Sequence, residues 1–159
     1  MSDPCFWLPP LIMLTDHGGE WGLYLEVIYD HFRRDFVDHC PSLDGRPCRV
    51  FGKLVDGKEE TFWHITSTGE VEDERIPDLR RCERVRWPRP LIETFPADLV
   101  RAWRVERKKK KRINLAPSDF SYLVVLDERP RRVSLITAYW IEKEHHRRKL
   151  RTEWDRNHL

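Results

Sequence analysis

Apolar residues recur every three or four positions in the stretch that follows Gly19. Polar and charged residues occupy the positions between them, which is typical of an amphipathic helix with one buried face. The pattern covers about five helical turns and predicts a helix whose apolar face carries Trp21, Tyr24, Leu25, Ile28, Phe32 and Phe36. The prolines within residues 7–14 exclude a helix there. We therefore expect residues 1–18 to form an extended arm packed on the body of the protein.

The repeat shortens to two residues after Cys40-Pro41. Residues 49–55 and 61–67 flank Asp56-Gly57, a dipeptide typical of a two-residue hairpin turn, and the pattern predicts a pair of strands. Successive side chains of a strand point to opposite faces. His64 and Thr66 would then share one face of the second strand.

The second half of the chain alternates between proline-rich and strand-like segments. Residues 76–93 contain three prolines and predict a loop or a short helix. Residues 99–106 predict a strand that enters a lysine block, and residues 122–126 and 132–141 predict a hairpin because they are rich in β-branched and aromatic residues. Residues 142–159 are mostly charged, and they predict a surface helix held by Leu150 and Trp154.

These elements predict one α+β domain over residues 1–159, with the N-terminal helix on one face of an antiparallel sheet of four to five strands. The other face would be free for a ligand. No run approaches the roughly 18 apolar residues of a membrane span, and the N-terminus lacks the pattern of a signal peptide. We expect a cytoplasmic protein that does not bind membranes, with its four cysteines reduced.

Positive charge is concentrated although the net charge is only +2. Residues 80–89 contain five arginines, and residues 107–112 are all lysine or arginine. Such local clustering is expected of a protein that holds a polyanion on one side, and a phosphate backbone is the leading candidate.

Three segments carry a family resemblance: residues 57–67 (GKEETFWHITS), residues 80–90 and residues 135–140 (LITAYW). They resemble a phage- and mobile-element-associated family grouped with the Barnase–EndoU–colicin–RelE (BECR) nucleases. The resemblance implies a metal-independent ribonuclease, often a toxin or defence effector, built from helices followed by a curved antiparallel sheet. It implies no cofactor and no metal.

Cleavage of RNA without a metal requires a base for the 2′-hydroxyl, cations for the charge on phosphorus and an acid for the leaving oxygen. A histidine suits the proton-transfer roles because its ordinary pKa lies near 6.5, and His64 is the candidate. The alternative is a histidine with satisfied hydrogen bonds in a packed sheet.

Arg81 and Arg84 are candidate catalytic cations, because a guanidinium can bond two phosphate oxygens at once. The alternative is an exposed arginine face paired with nearby acids. Thr137 and Tyr139 share one face of the last strand, where a hydroxyl could position the phosphate or act as a weak acid. Tyr139 could equally be a core aromatic residue.

Further substrate contacts are predicted for Lys58, Thr66 and Arg80, and for Lys109, Lys110 and Lys111 of the lysine block. A lysine in a turn is more often solvated, and the block could also be a nuclear-localisation-like run or a solvated strand extension. His145 and His146 are interpreted as surface residues, since adjacent helical positions diverge by about 100° and no HExxH spacing is present.

The leading hypothesis is an endoribonuclease that leaves a 2′,3′-cyclic phosphate on its RNA substrate (tRNA, mRNA or rRNA). An acidic inhibitor or antitoxin protein is a possible second partner, because it would complement the basic face. The alternative is a non-catalytic nucleic-acid-binding or protein-interaction module of a mobile element.

Overall fold

The computed structural model describes residues 3–71 and 74–159. In these two ranges no helix has the length and apolarity needed to cross a membrane. A 3-10 helix, Leu14–His17, precedes the first α-helix, and a π-helical turn, Arg33–Asp38, continues it. The α-helices are α1 (Trp21–Phe32), α2 (Glu60–Thr66), α3 (Leu79–Glu83), α4 (Pro88–Thr94) and α5 (Glu144–Asn157).

Six strands form the main sheet, in the order β1-β2-β10-β9-β8-β7, and all neighbours are antiparallel except β2 and β10. The pairs β3–β4 and β5–β6 form two small ribbons. The strands are β1 (Ser42–Leu43), β2 (Arg46–Arg49), β3 (Leu54–Val55), β4 (Lys58–Glu59), β5 (Ser67–Thr68), β6 (Ile76–Pro77), β7 (Val100–Arg107), β8 (Lys110–Pro117), β9 (Tyr122–Glu128) and β10 (Val133–Trp140).

The α+β class is therefore confirmed, but the expected sheet of four to five antiparallel strands was wrong. The strand predicted over residues 49–55 is reduced to the end of β2 and to β3. Strand β8, with eight residues, was not predicted, because its first three residues are the end of the basic block. The two other missed strands are short: β1 has two residues and β2 has four. Segments of this length show no alternation that a sequence pattern can detect. The parallel pairing of β2 with β10 is not visible from sequence either, because it joins distant parts of the chain.

The amphipathic helix predicted from Trp21 is confirmed as α1. The carboxylate of Glu20 accepts hydrogen bonds from the backbone N–H groups of Gly22 and Leu23, which satisfies two orphan donors at the N-terminus. Its apolar face buries Tyr24, Ile28 and Phe32 in the main core. The helix thus forms one layer of the core beneath the sheet.

Residues 61–67 form helix α2 and the start of β5, so the strand predicted there was wrong. The buried residues Thr61, Phe62, Ile65 and Thr66 follow helical spacing. The Phe62 ring lies 5.1 Å from the Tyr29 ring and packs against α1. This burial outweighs the β propensity of a segment rich in aromatic and β-branched residues.

The predicted arm carries no helix or strand over residues 3–13, and Leu8 is buried in the main core. Met1 and Ser2 of the predicted arm lie outside the described residues. The indole N–H of Trp87 donates to the Pro9 carbonyl at 2.9 Å, and the Tyr24 hydroxyl donates to the Ile12 carbonyl at 2.7 Å. These bonds attach the arm to α1 and to the start of α4.

The main sheet has two differently covered faces. One face buries Ile113, Val124 and Leu135 against the helices of the main core. On the opposite face, α5 packs Leu150 against a second cluster that includes Trp103. The surface helix predicted for the C-terminus is confirmed, but it lies on the sheet face expected to be free. The remainder of that face, along β8 and the last residues of β7, stays open.

The outer edge of β10 is only partly paired. Strand β2 pairs with β10 at Val133 and Ser134 alone. Helices α2 and α3 lie against β10, and the Thr137 hydroxyl donates to the backbone carbonyl of His64 at 3.0 Å. The two helices therefore cover the edge that β2 leaves open.

Three two-residue hairpin turns have positive φ at both central residues, the signature of a type I′ turn. Two of them use Asp-Gly, at Asp44-Gly45 and Asp56-Gly57. The third, between β7 and β8, uses Lys108 at φ 50° and Lys109 at φ 66°. The left-handed region costs a residue with a side chain roughly 1 kcal/mol or more. The β7–β8 turn is therefore strained: it has two lysines at positions where the two other turns have Asp-Gly.

We expect the double substitution Lys108→Asn with Lys109→Gly to raise the free energy of unfolding by about 1 kcal/mol, because Asn-Gly fits a type I′ turn without strain. Urea denaturation of the two proteins measures the difference. The control Lys108→Ala with Lys109→Ala removes the same charges and keeps the strained backbone. A gain of the same size in this control would show that charge repulsion, and not backbone strain, is relieved.

Candidate nucleic-acid interface

Three side chains converge on the backbone of His64, near the C-terminal end of α2. The His64 carbonyl accepts hydrogen bonds from Arg81 Nη1 at 3.0 Å, from Thr137 Oγ1 at 3.0 Å and from Arg75 Nη2 at 3.5 Å. Carbonyl groups in the last turn of a helix have no partner within the helix. These contacts satisfy one such carbonyl and tie α2 to β10.

The imidazole of His64 lies in a different environment from the one the sequence predicted. Its Nε2 is 3.9 Å from a carboxylate oxygen of Glu60, and the ring makes an edge contact with Phe51 at 5.5 Å between centroids. The predicted position beside Thr66 on an open strand face was wrong, because the segment is helical. Thr66 is buried, and its hydroxyl donates to the Phe62 carbonyl at 2.8 Å. The predicted substrate contact of Thr66 has no support from this arrangement, and a proton-transfer role for His64 stays a prediction.

Arg81 links α3 to both α2 and β10. Its Nη1 also donates to the Ser67 carbonyl at 2.8 Å, and its guanidinium carbon lies 5.1 Å from the centre of the Tyr139 ring. Its Nε has no hydrogen bond among the described residues, although a carboxylate oxygen of Asp78 is 3.6 Å away. Burial lowers the pKa of Arg81, and Asp78 acts in the opposite direction. Much of this cation is engaged in holding the fold.

Arg84 and Arg80 differ in exposure. The side chain of Arg84 is 8% exposed, its guanidinium stacks 3.8 Å from the centre of the Trp140 ring, and burial lowers its pKa. Such a covered cation stabilises the packing of α3 on β10 through cation–π contact. Arg80 is exposed and pairs with Glu83 at 3.1 Å. Arg80 therefore fits the alternative of an exposed arginine paired with a nearby acid, whereas the buried Arg84 does not belong to an exposed face.

A basic groove, with a volume of about 560 Å³, lies between α5 and the open face of the sheet. Its cations come from the β7–β8 hairpin and from α5, and one carboxylate, Glu153, accompanies them. Apolar side chains of the sheet and of α5 also line it. The residues of the groove are Val105, Arg107, Lys108, Lys110, Arg112, Asn114, Leu123, Val125, Tyr139, His146, Lys149, Leu150 and Glu153.

Most of this positive charge is uncompensated. Arg112 pairs with Asp127 at 2.7 Å. Within the described parts of the chain, the other four cations have no carboxylate within 4.0 Å; they are Arg107, Lys108, Lys110 and Lys149. A concave surface lined with charge of one sign concentrates its field and attracts ions of the opposite sign. The groove is therefore suited to a polyanion.

A second cavity, of about 530 Å³, lies at the same end of the sheet and is less suited to an anion. Two of its arginines are neutralised by one acid: Arg46 and Arg104 bond to Glu128 at 3.0 and 2.9 Å. Both arginines lower the pKa of that carboxyl. This cluster therefore joins β2, β7 and β9 by ion pairs within the protein.

Tyr139 belongs both to the groove and to the cluster around Arg81. Its ring lies beside that of His146, with 6.4 Å between the ring centres, and both residues line the groove. Burial raises the pKa of Tyr139, Arg81 and Arg107 lower it, and Glu153 raises it further. The phenol is therefore protonated at neutral pH and can donate a hydrogen bond or a proton. Any ligand in the inner part of the groove would meet this residue.

The remaining predicted lysines are distributed between two regions. Lys110 lines the groove, while Lys109 and Lys111 lie next to it on the hairpin. Lys58 does not line the groove, and its ammonium bonds to Glu26 at 2.8 Å and lies 5.1 Å from the centre of the Tyr29 ring. Its predicted substrate contact has no support from this arrangement, because the charge is already paired.

Several groove residues were missed from sequence, most clearly His146 and Lys149. A signal for them exists, because His146, Lys149, Leu150 and Glu153 follow the spacing of one helix face. This spacing places His146 on the same helix face as the buried residue Leu150, but it does not show that this face packs against the sheet. In the described parts of the chain, no three His, Cys, Asp or Glu side chains are arranged to hold a metal ion.

Comparisons of the chain with protein-family models, with curated proteins and with solved structures find no match. The resemblance of residues 57–67, 80–90 and 135–140 to BECR nucleases therefore stays a prediction.

Proposed function

We propose that this protein binds RNA in the basic groove. The observation that carries the proposal is the group of four cations without acidic partners on one concave surface: Arg107, Lys108, Lys110 and Lys149. Release of counterions by phosphate–cation contacts supplies much of the affinity of proteins for nucleic acids. The strained turn supports this function, because it places Lys108 and Lys109 at the tip of the hairpin at a cost to stability.

A single-stranded segment fits this groove better than a duplex. The volume of about 560 Å³ is in the range of small-ligand sites, roughly 300–1,000 Å³. Val105, Leu123 and Val125 offer apolar surface for bases, and the cations of the same groove can contact phosphates. RNA is proposed over DNA because the family resemblance implies a ribonuclease, and an RNA-binding surface can also contact the 2′-hydroxyl.

Replacing Lys110 and Lys149 by glutamine should weaken the binding of a single-stranded RNA and lower its salt dependence. The slope of log K against log salt concentration should fall in magnitude by about 1.4, because each lost phosphate contact contributes about 0.7 for single strands. Fluorescence anisotropy with a labelled oligonucleotide, titrated at four salt concentrations, measures both quantities.

The matched control replaces Lys53 and Lys143, two exposed lysines outside the groove, by glutamine. It changes the net charge equally and should leave the slope almost unchanged. Equal losses in the two double variants would show that net charge, and not the groove, determines binding, and would contradict the proposal.

Metal-independent cleavage of the bound RNA is a second proposed function, and one observation favours it. The backbone carbonyl of His64 meets Arg81 and Thr137 at one point, and the guanidinium of Arg81 lies over Tyr139, which also lines the groove. An RNA strand in the groove would thus meet the Tyr139 phenol, whereas the His64 imidazole lies beside Glu60 and Phe51 and is not among the described residues that line the groove. Cleavage would leave a 2′,3′-cyclic phosphate and a free 5′-hydroxyl.

We expect His64→Ala to slow cleavage by about 10²-fold or more if His64 transfers a proton. The measurement is the rate of cleavage of a labelled RNA in excess EDTA, with sequencing of the fragment ends. His39→Ala, which removes an exposed histidine beyond the end of the π-helical turn, serves as the control. Cleavage by His64→Ala at the wild-type rate would remove His64 from the mechanism and leave the residues of the groove as the candidates for the chemistry.

A further inference from the structure

His146 and Tyr139 face each other at the inner end of the groove. Their ring centres are 6.4 Å apart, and both line the cavity. They come from elements that are held firmly. Tyr139 pairs with Leu123 in the sheet, and α5 is anchored through the buried side chain of Leu150. Two ionisable groups that are held side by side and line one cavity can take a proton from, and give a proton to, a single bound ligand.

Cations surround this pair. Arg107 and Lys149 line the same cavity, and the Arg81 guanidinium lies 5.1 Å from the centre of the Tyr139 ring. Arg81 does not line the groove and its Nε is buried, so it acts on Tyr139 through its charge and not as a donor to a ligand. A phosphate in the groove beside this ring pair would therefore lie next to an imidazole, a phenol and positive charge.

We propose that His146 and Tyr139 are catalytic residues that cleave RNA at the inner end of the groove. The inference rests on the proposed RNA binding and deepens it, since it assigns both proton transfers to this site and leaves none for the His64 imidazole. Neutral His146 accepts the proton of the ribose 2′-hydroxyl as the 2′-oxygen forms a bond to phosphorus. The bond from phosphorus to the 5′-oxygen breaks, and Tyr139 donates its proton to that oxygen.

The step balances without an added reactant. The substrate strand becomes one fragment with a 2′,3′-cyclic phosphate and one with a 5′-hydroxyl. His146 ends the step as a cation and Tyr139 as an anion, and transfer of the proton through water restores both. Arg107 and Lys149 stabilise the negative charge on the phosphate oxygens. The phenol suits the acid role because it remains protonated until the leaving oxygen develops charge.

The test separates binding from cleavage. Binding is measured by anisotropy with an oligonucleotide that carries 2′-O-methyl groups throughout, because it has no nucleophile and stays intact. Cleavage is measured with the unmodified RNA of the same sequence, in excess EDTA. We expect His146→Ala and Tyr139→Phe each to reduce the cleavage rate by about 10²- to 10⁴-fold. Both variants should bind the methylated strand within about threefold of the wild type.

His145→Ala is the matched control, because His145 is the exposed neighbour of His146 on α5 and does not line the groove. It should cleave at the wild-type rate. Equal rates for His146→Ala and His145→Ala would overturn the assignment of His146, and so would a wild-type protein that binds RNA and leaves it intact. Failure of the wild type to bind the methylated strand would instead overturn the proposed RNA binding, on which this inference rests.

Discussion

The arrangement of the proposed site depends on the way in which the C-terminal end of α2 is satisfied. A helix that ends inside a protein needs donors for its last carbonyl groups. Here Arg81 donates to the carbonyls of His64 and Ser67, and Thr137 donates to that of His64. These donors come from α3 and β10, so the same bonds that complete the helix also close the edge of the sheet. With that edge closed, Tyr139 is fixed at the inner end of the groove.

The long periodic elements could be predicted from the sequence because their patterns depend mainly on local burial. Helix α1, the β9–β10 hairpin and helix α5 are of this kind. Helix α2 could not be predicted from the sequence. Phe62, His64 and Thr66 alternate with Trp63 and Ile65 in a way that also fits a strand. The helix is selected by the burial of Phe62 against Tyr29 and Phe32, and these rings come from a distant part of the chain. Tertiary packing decides the structure of a short segment when its local preferences are divided.

The candidate site shows the same division. The basic block and Tyr139 were found from residue type alone. His146 was not found, because it acquires its surroundings only when α5 folds back across the sheet. The Lys108-Lys109 turn was also missed, since two lysines in succession give no turn signal and only the backbone shows the strain. Residues that carry charge are visible in a sequence, whereas the concavity that concentrates their field is a product of the fold.

The one parallel pairing, between Cys48–Arg49 of β2 and Val133–Ser134 of β10, affects the order in which the molecule can assemble. Strands β7 to β10 follow one another as a meander and close only short loops, whereas this pairing encloses roughly half the chain. Closing a loop costs entropy that grows with its length. During synthesis β10 emerges after β2 and after every strand between them, so β1 and β2 cannot take their final places at the sheet until β10 has been made.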